Sequence, residues 1–117
     1  MLRFVIGCIV LSLSSVVLAE KQVLKTQGFM IELSMHCEEG EVVCDKVLYK
    51  GTSLKTGHSI KLIGKTEHLK CADGNTPCRF LGYTFTNDRV IYTVSASGLL
   101  SVIQDGNILL QQQGQWQ

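Results

Sequence analysis

The chain has 117 residues, with 11 Lys or Arg against 10 Asp or Glu and a formal charge of +1. So small a net charge gives no electrostatic reason to bind nucleic acid or anionic lipid, both of which need clustered excess Lys and Arg, and neither is an expected partner. A chain of this length forms one domain that buries a modest fraction of its surface, a size range in which covalent staples help.

The N-terminus opens with a short basic start, Met1-Leu2-Arg3, followed by an apolar run from Phe4 to Leu18. Val17 and Ala19 supply small residues at minus three and minus one of a cleavage point ahead of Glu20. This is the pattern of a secretory signal peptide, residues 1–19, and it predicts a single domain over 20–117. As a membrane anchor the stretch is barely long enough, and small and Ser residues dilute it. Val5-Ile6-Gly7-Cys8 resembles a lipoprotein box, but too few apolar residues precede Cys8 for cleavage there. The short, lightly charged signal resembles bacterial precursors, so the expected location is the periplasm, with no membrane insertion after cleavage. Loss of residues 1–19 removes Arg3 and Cys8 and leaves ten basic against ten acidic residues, a formally neutral chain with four cysteines.

From Phe29 the hydrophobic period is two. Phe29, Ile31, Leu33, Met35 and Cys37 alternate with Met30, Glu32, Ser34 and His36, the signature of a half-buried strand. Cys37 and Cys44 enclose six residues, and Cys71 and Cys78 enclose another six; both segments are turn-like. An even cysteine count in an exported small chain reads as a disulfide framework. Of the three possible pairings, the repeated spacing favours two local loops, Cys37 with Cys44 and Cys71 with Cys78. Strands are predicted at Val42–Tyr49 and Ser59–Leu69, separated by Gly51–Gly57, with the Cys71–Cys78 segment as the next separator. Leu81, Tyr83 and Phe85 then share a face, and across Asn87-Asp88 the chain resumes with Val90, Tyr92 and Val94, which predicts a hairpin. Ser95–Gly98 separates it from Leu99–Ile103, and Asp105-Gly106 joins that strand to Asn107–Gln112. Asp-Gly suits a two-residue type I′ turn, whose central positions both need positive φ.

No stretch keeps the 3.6 period of an amphipathic helix. The fold expected is all-β: one antiparallel meander of about six to eight strands curled into a small barrel or sandwich, with two local disulfides. Outer-membrane barrels share the alternation, but their strands need about nine to eleven residues each. Several strands here are shorter, and Lys61, Lys65, Glu67 and Lys70 crowd one of the longest.

No catalytic constellation can be assembled, and no enzyme activity is expected. His36, His58 and His68 are the only imidazoles, and no Gly-x-Ser-x-Gly elbow is present. Glu38, Glu39 and Glu41 beside Gly40 read as a solvated hairpin tip. A zinc site would need a two-residue Cys spacing or a paired His motif, and neither occurs. Asp73-Gly74-Asn75 resembles the start of a calcium loop but lacks the closing Glu, and an Asx turn accounts for it. No metal and no cofactor are expected.

Loops on a rigid scaffold are then the natural place for function. Ser95-Ala96-Ser97-Gly98-Leu99-Leu100-Ser101 resembles the Ser-Gly-x-x-Tyr loop that C-type lysozyme inhibitors insert into the enzyme's cleft, with Ser101 standing where that family has Tyr. The family's second motif, a Tyr followed by Lys-Gly, has no counterpart near Gln112-Gln113-Gly114. Together with the signal peptide, four cysteines, size and all-β pattern, the chain resembles small periplasmic lysozyme inhibitors and immunity proteins against peptidoglycan-cleaving effectors. The resemblance implies a protein partner, a lysozyme-like hydrolase or toxin, and Ser95, Ser97 and Gly98 as candidate contact residues. An envelope structural or interaction protein and a carrier for a small apolar ligand are the alternative expectations.

Overall fold

The computed structural model describes residues 21–38 and 41–117. The expected signal peptide, its cleavage point at Glu20 and Cys8 lie outside the described residues, as do Glu39 and Gly40 of the acidic loop. Nine strands follow one another without a helix among the described residues: β1 (Lys21–Lys25), β2 (Phe29–Met35), β3 (Val47–Ser53), β4 (Ser59–Lys70), β5 (Pro77–Asn87), β6 (Val90–Ser95), β7 (Leu99–Gln104), β8 (Asn107–Gln113) and β9 (Gln115–Trp116). Each of β1 to β7 pairs antiparallel with the next. Past Gly114 the chain continues as β9, which pairs back onto β1 through Leu24↔Trp116 and Lys25↔Gln115. With β8 and β9 acting as one bent strand, the meander becomes a nearly closed eight-stranded barrel, a size whose interior side chains can fill.

Strand alternation sets what fills it. Leu24, Ile31, Leu33, Val47, Tyr49, Tyr83, Phe85, Val94 and Leu100 are buried together, one or two from each of six strands. Gly64 lies opposite Phe85 in the β4–β5 register, and a Cβ there would overlap the Phe85 ring and the Thr84 carbonyl. The glycine is thus the space into which the largest fully buried side chain packs.

Closure is short in backbone pairs and is completed by a side chain. The Gln112 amide oxygen accepts from the Thr26 hydroxyl (2.7 Å) and the Gly28 N–H (3.1 Å), bridging β8 to the β1–β2 turn where no ladder runs. On the other side of Gly114, the Gln117 N–H donates to the Val23 carbonyl (2.9 Å).

Several sequence expectations are corrected. Lys21–Lys25 and Gln115–Trp116 are strands that the alternation did not announce, and they bring the count to nine. The strand expected at Val42–Tyr49 begins at Val47 and runs on to Ser53, because the Cys37–Cys44 loop takes up the residues before it. β5 starts at Pro77, inside the expected separator; proline is compatible with the first residue of a strand, where its missing N–H is tolerated. Leu81 does not share a face with Tyr83: it is 40 % exposed, because the β4–β5 register shifts between Glu67↔Gly82 and His68↔Phe80, turning Phe80 inward instead. The β5–β6 turn centres on Asp88-Arg89, one residue later than expected, with Asn87 paired to Val90 and Asp88 at φ 56°. At Asp105-Gly106 both residues have positive φ, 49° and 81°, as a type I′ turn requires.

Candidate functional site

An antiparallel meander alternates its connections between the two ends of the barrel. The β2–β3, β4–β5 and β6–β7 connections therefore share one end, which also receives Lys21 and Gln117. They contain, in order, the Cys37–Cys44 loop, the Cys71–Cys78 loop and Ser95–Gly98, so the topology gathers at one end both cysteine loops and the candidate contact turn, which lie in three separate stretches of the sequence.

Both local disulfides are formed, with Cα–Cα separations of 5.7 Å for Cys37–Cys44 and 5.2 Å for Cys71–Cys78. The first loop is anchored in the core. Cys44 is 3 % exposed; its N–H donates to the Thr66 hydroxyl (3.0 Å) and its carbonyl accepts the Thr66 N–H (2.8 Å). The second loop is outward and self-contained. Cys71 N–H donates to the Thr76 carbonyl (2.7 Å), and the Asp73 carboxylate accepts the N–H groups of Asn75 and Thr76 (both 2.9 Å) and the Thr76 hydroxyl. That is an Asx turn. The Thr76 hydroxyl first, then the Thr76 and Asn75 N–H groups, hold the Asp73 carboxyl down at about 2.

The third connection is equally determined. Ser95 Oγ accepts the Leu99 N–H (2.9 Å) and lies 2.9 Å from Ser97 Oγ. Gly98 is buried at φ 93°; its N–H donates to the Ser95 carbonyl and its carbonyl accepts the Gly114 N–H. Gln113 Nε2 holds the Ser97 carbonyl (2.9 Å) and Trp116 Nε1 holds that of Ala96 (2.9 Å). Ala96 and Ser97 are the exposed residues of the turn. Of the three candidates, Ser97 presents its side chain outward, Ser95 supports it from a half-buried position, and Gly98 fixes the backbone.

Between this turn and the start of β1 lies a cleft of about 320 Å3, lined by Lys21, Gln22, Val23, Phe80, Tyr83, Ala96, Trp116 and Gln117. The Tyr83 hydroxyl donates to Gln22 Oε1 (3.3 Å), and Phe80 packs edge-on against Tyr83 (ring centroids 5.1 Å apart) and tilted against His68 (5.4 Å). No known protein family, curated protein or solved structure matches the chain. What this end can do is set by its own groups: an aromatic and amide-lined cleft, a rigid hydroxyl-bearing turn at its rim, and two clamped loops beside it. Its donors and acceptors are preorganised, which lowers the ordering entropy lost when a polar group binds. Among the described residues no group of three or more His, Cys, Asp or Glu side chains is arranged to hold a metal ion.

Trp116, Phe80, Tyr83 and Gln22 are not among the contact residues expected from the sequence. The single tryptophan, two residues after Gly114, was a usable signal, since an indole that packs against a core needs a partner for its N–H.

Proposed function

We propose that the chain is a periplasmic binding protein that inhibits, or gives immunity to, a cell-wall hydrolase, using the disulfide-bearing end of its barrel as the contact surface. The observation that carries this reading is the convergence of three connections at one end, two of them closed by disulfides and the third tied by side-chain hydrogen bonds on both flanks. Loops held in one shape lose less entropy on association, and three such connections gathered at one end of a barrel can enter a cleft together. In the arrangement where Ser95 donates to Ser97, the Ser97 O–H is left to donate outward. A carboxylate of the kind that glycan-cleaving enzymes carry in pairs is a fitting acceptor. Gly98 contributes by holding the turn, not by contact.

Two measurements test the proposal. The purified chain, with both disulfides intact, is immobilised and exposed to a periplasmic extract, and retained proteins are identified and assayed for peptidoglycan hydrolysis in its presence. Recovery of a hydrolase that the chain inhibits is the expected result; retention of none, or of hydrolases left fully active, overturns it. Ser97→Arg then locates the contact: the folded variant loses inhibition while its melting temperature stays within a few degrees of the parent. If inhibition survives, the Ser95–Gly98 turn is not the surface used.

A further inference from the structure

The opposite end of the barrel, formed by the β1–β2, β3–β4, β5–β6 and β7–β8 connections, carries a second cavity of about 230 Å3. Phe29, Tyr49, Gly51, Ile60, Tyr92 and Leu110 are in its wall, and no charged side chain is. It shares no wall residue with the cleft at the disulfide end, and the fully buried Ile31, Leu33, Val94 and Phe85 fill the interior. The cavity is therefore a separate pocket and not one end of a channel.

Tyr49 makes it more than an apolar recess. The residue is 3 % exposed and its ring is held against Phe85 (5.0 Å) and Tyr92 (5.8 Å), yet its hydroxyl makes no hydrogen bond to a described residue. No side-chain nitrogen or oxygen among the described residues is both fully enclosed and unpaired, so this hydroxyl opens onto the cavity. Its direction is fixed by Gly51: a Cβ there would lie 2.7 Å from Tyr49 Oη and 2.8 Å from Cε1. The phenol thus extends over Gly51, itself a wall residue, toward the mouth. Burial, with Tyr92 adding to it, pushes the Tyr49 phenol well above its ordinary range, so it faces the cavity as a neutral O–H donor. A ligand oxygen seated in the cavity can take this O–H in place of water.

We propose that this mouth binds a compact, uncharged ligand with an apolar body and one oxygen acceptor that takes the Tyr49 O–H. An ionised ligand would be desolvated against a wall with no counter-charge. Size limits the body: an engineered cavity of about 150 Å3 holds benzene, so this one accommodates a single ring with a short substituent.

The test uses two probes of the same shape, acetophenone, which carries a carbonyl acceptor, and α-methylstyrene, in which a methylene replaces that oxygen. Each is titrated into the 15N-labelled protein and followed by amide chemical shifts. Acetophenone is expected to move Gly51, Ile60, Tyr92 and Leu110 saturably, and to bind roughly fivefold or more tighter than α-methylstyrene, the worth of one net hydrogen bond. Tyr49→Phe, which removes a hydroxyl with no protein partner and should fold normally, is expected to equalise the two probes. Absence of saturable shifts at this mouth overturns the proposal, as does equal binding of the two probes by the parent, or an affinity ratio that Tyr49→Phe leaves unchanged. None of these outcomes depends on a partner at the disulfide end.

Discussion

Gly98 and Ser97 are neighbours with opposite tolerances, and the difference follows from backbone geometry. Gly98 sits at φ 93°, and a Cβ there would meet the Gly114 carbonyl oxygen and Leu24 Cδ1, both at 3.1 Å. Both neighbours belong to the closing seam, so neither can give way without disturbing it. Gly98→Ala is expected to destabilise the fold by about 1–3 kcal/mol in urea denaturation, whereas Ser97→Ala should change stability by less than about 0.5 kcal/mol. Equal effects would contradict the assignment of structure to one residue and surface to the other. Asp73 gives a second residue-scale test. Its folded carboxyl is lowered to about 2, below its unfolded value, so its support of the Cys71–Cys78 turn is complete above the ordinary carboxylate range and is lost as pH falls through about 2. Carboxyl 13C NMR should find it still ionised at pH 3, with the Asn75 and Thr76 amide shifts following the same titration; a midpoint near 4 would contradict the Asx turn.

At the scale of elements, what was legible in the sequence was whatever alternation writes plainly. β2, β6, β7 and β8 lie close to their expected positions, and both local disulfides follow from the repeated cysteine spacing. β1 was not legible: Lys21-Gln22-Val23-Leu24-Lys25 places its two apolar residues side by side, and it is a strand because β2 and β9 supply partners on both edges. The inward turn of Phe80 in place of Leu81 comes from a register shift against β4, a property of the pair and not of β5 alone. For the candidate site, Ser95–Gly98 was visible as turn chemistry, but its anchors Gln113 and Trp116 lie 16 and 20 residues further on, beyond any local pattern. The seam offers an element-scale prediction. Gln112→Ala leaves the Gly28 N–H and part of the Thr26 hydroxyl's bonding unmet, and is expected to cost about 1–3 kcal/mol. Hydrogen exchange in β1 and β8 should quicken more than in β4 and β5; uniform quickening would mean that Gln112 does not hold the seam.

For the whole molecule, the two disulfides provide an internal comparison. Both span a sequence separation of 7, so in the chain-entropy model each removes the same freedom from the unfolded state, about 2–3 kcal/mol. Any difference in the cost of losing them reports on the folded side. Cys44 is part of the buried core and is bonded to Thr66 through its backbone, whereas Cys78 is exposed and its loop is held independently by Asp73. Paired Cys37→Ser and Cys44→Ser substitutions put a hydroxyl into the core and release the loop from β4. They are expected to cost about 1–3 kcal/mol more than paired Cys71→Ser and Cys78→Ser, the penalty for an unmet buried polar group. Urea denaturation of the two double variants measures the difference directly. Equal losses would show that both bridges act only on the unfolded chain. A larger loss at Cys71–Cys78 would mean that the outward loop, not the core-anchored one, holds this end of the barrel together.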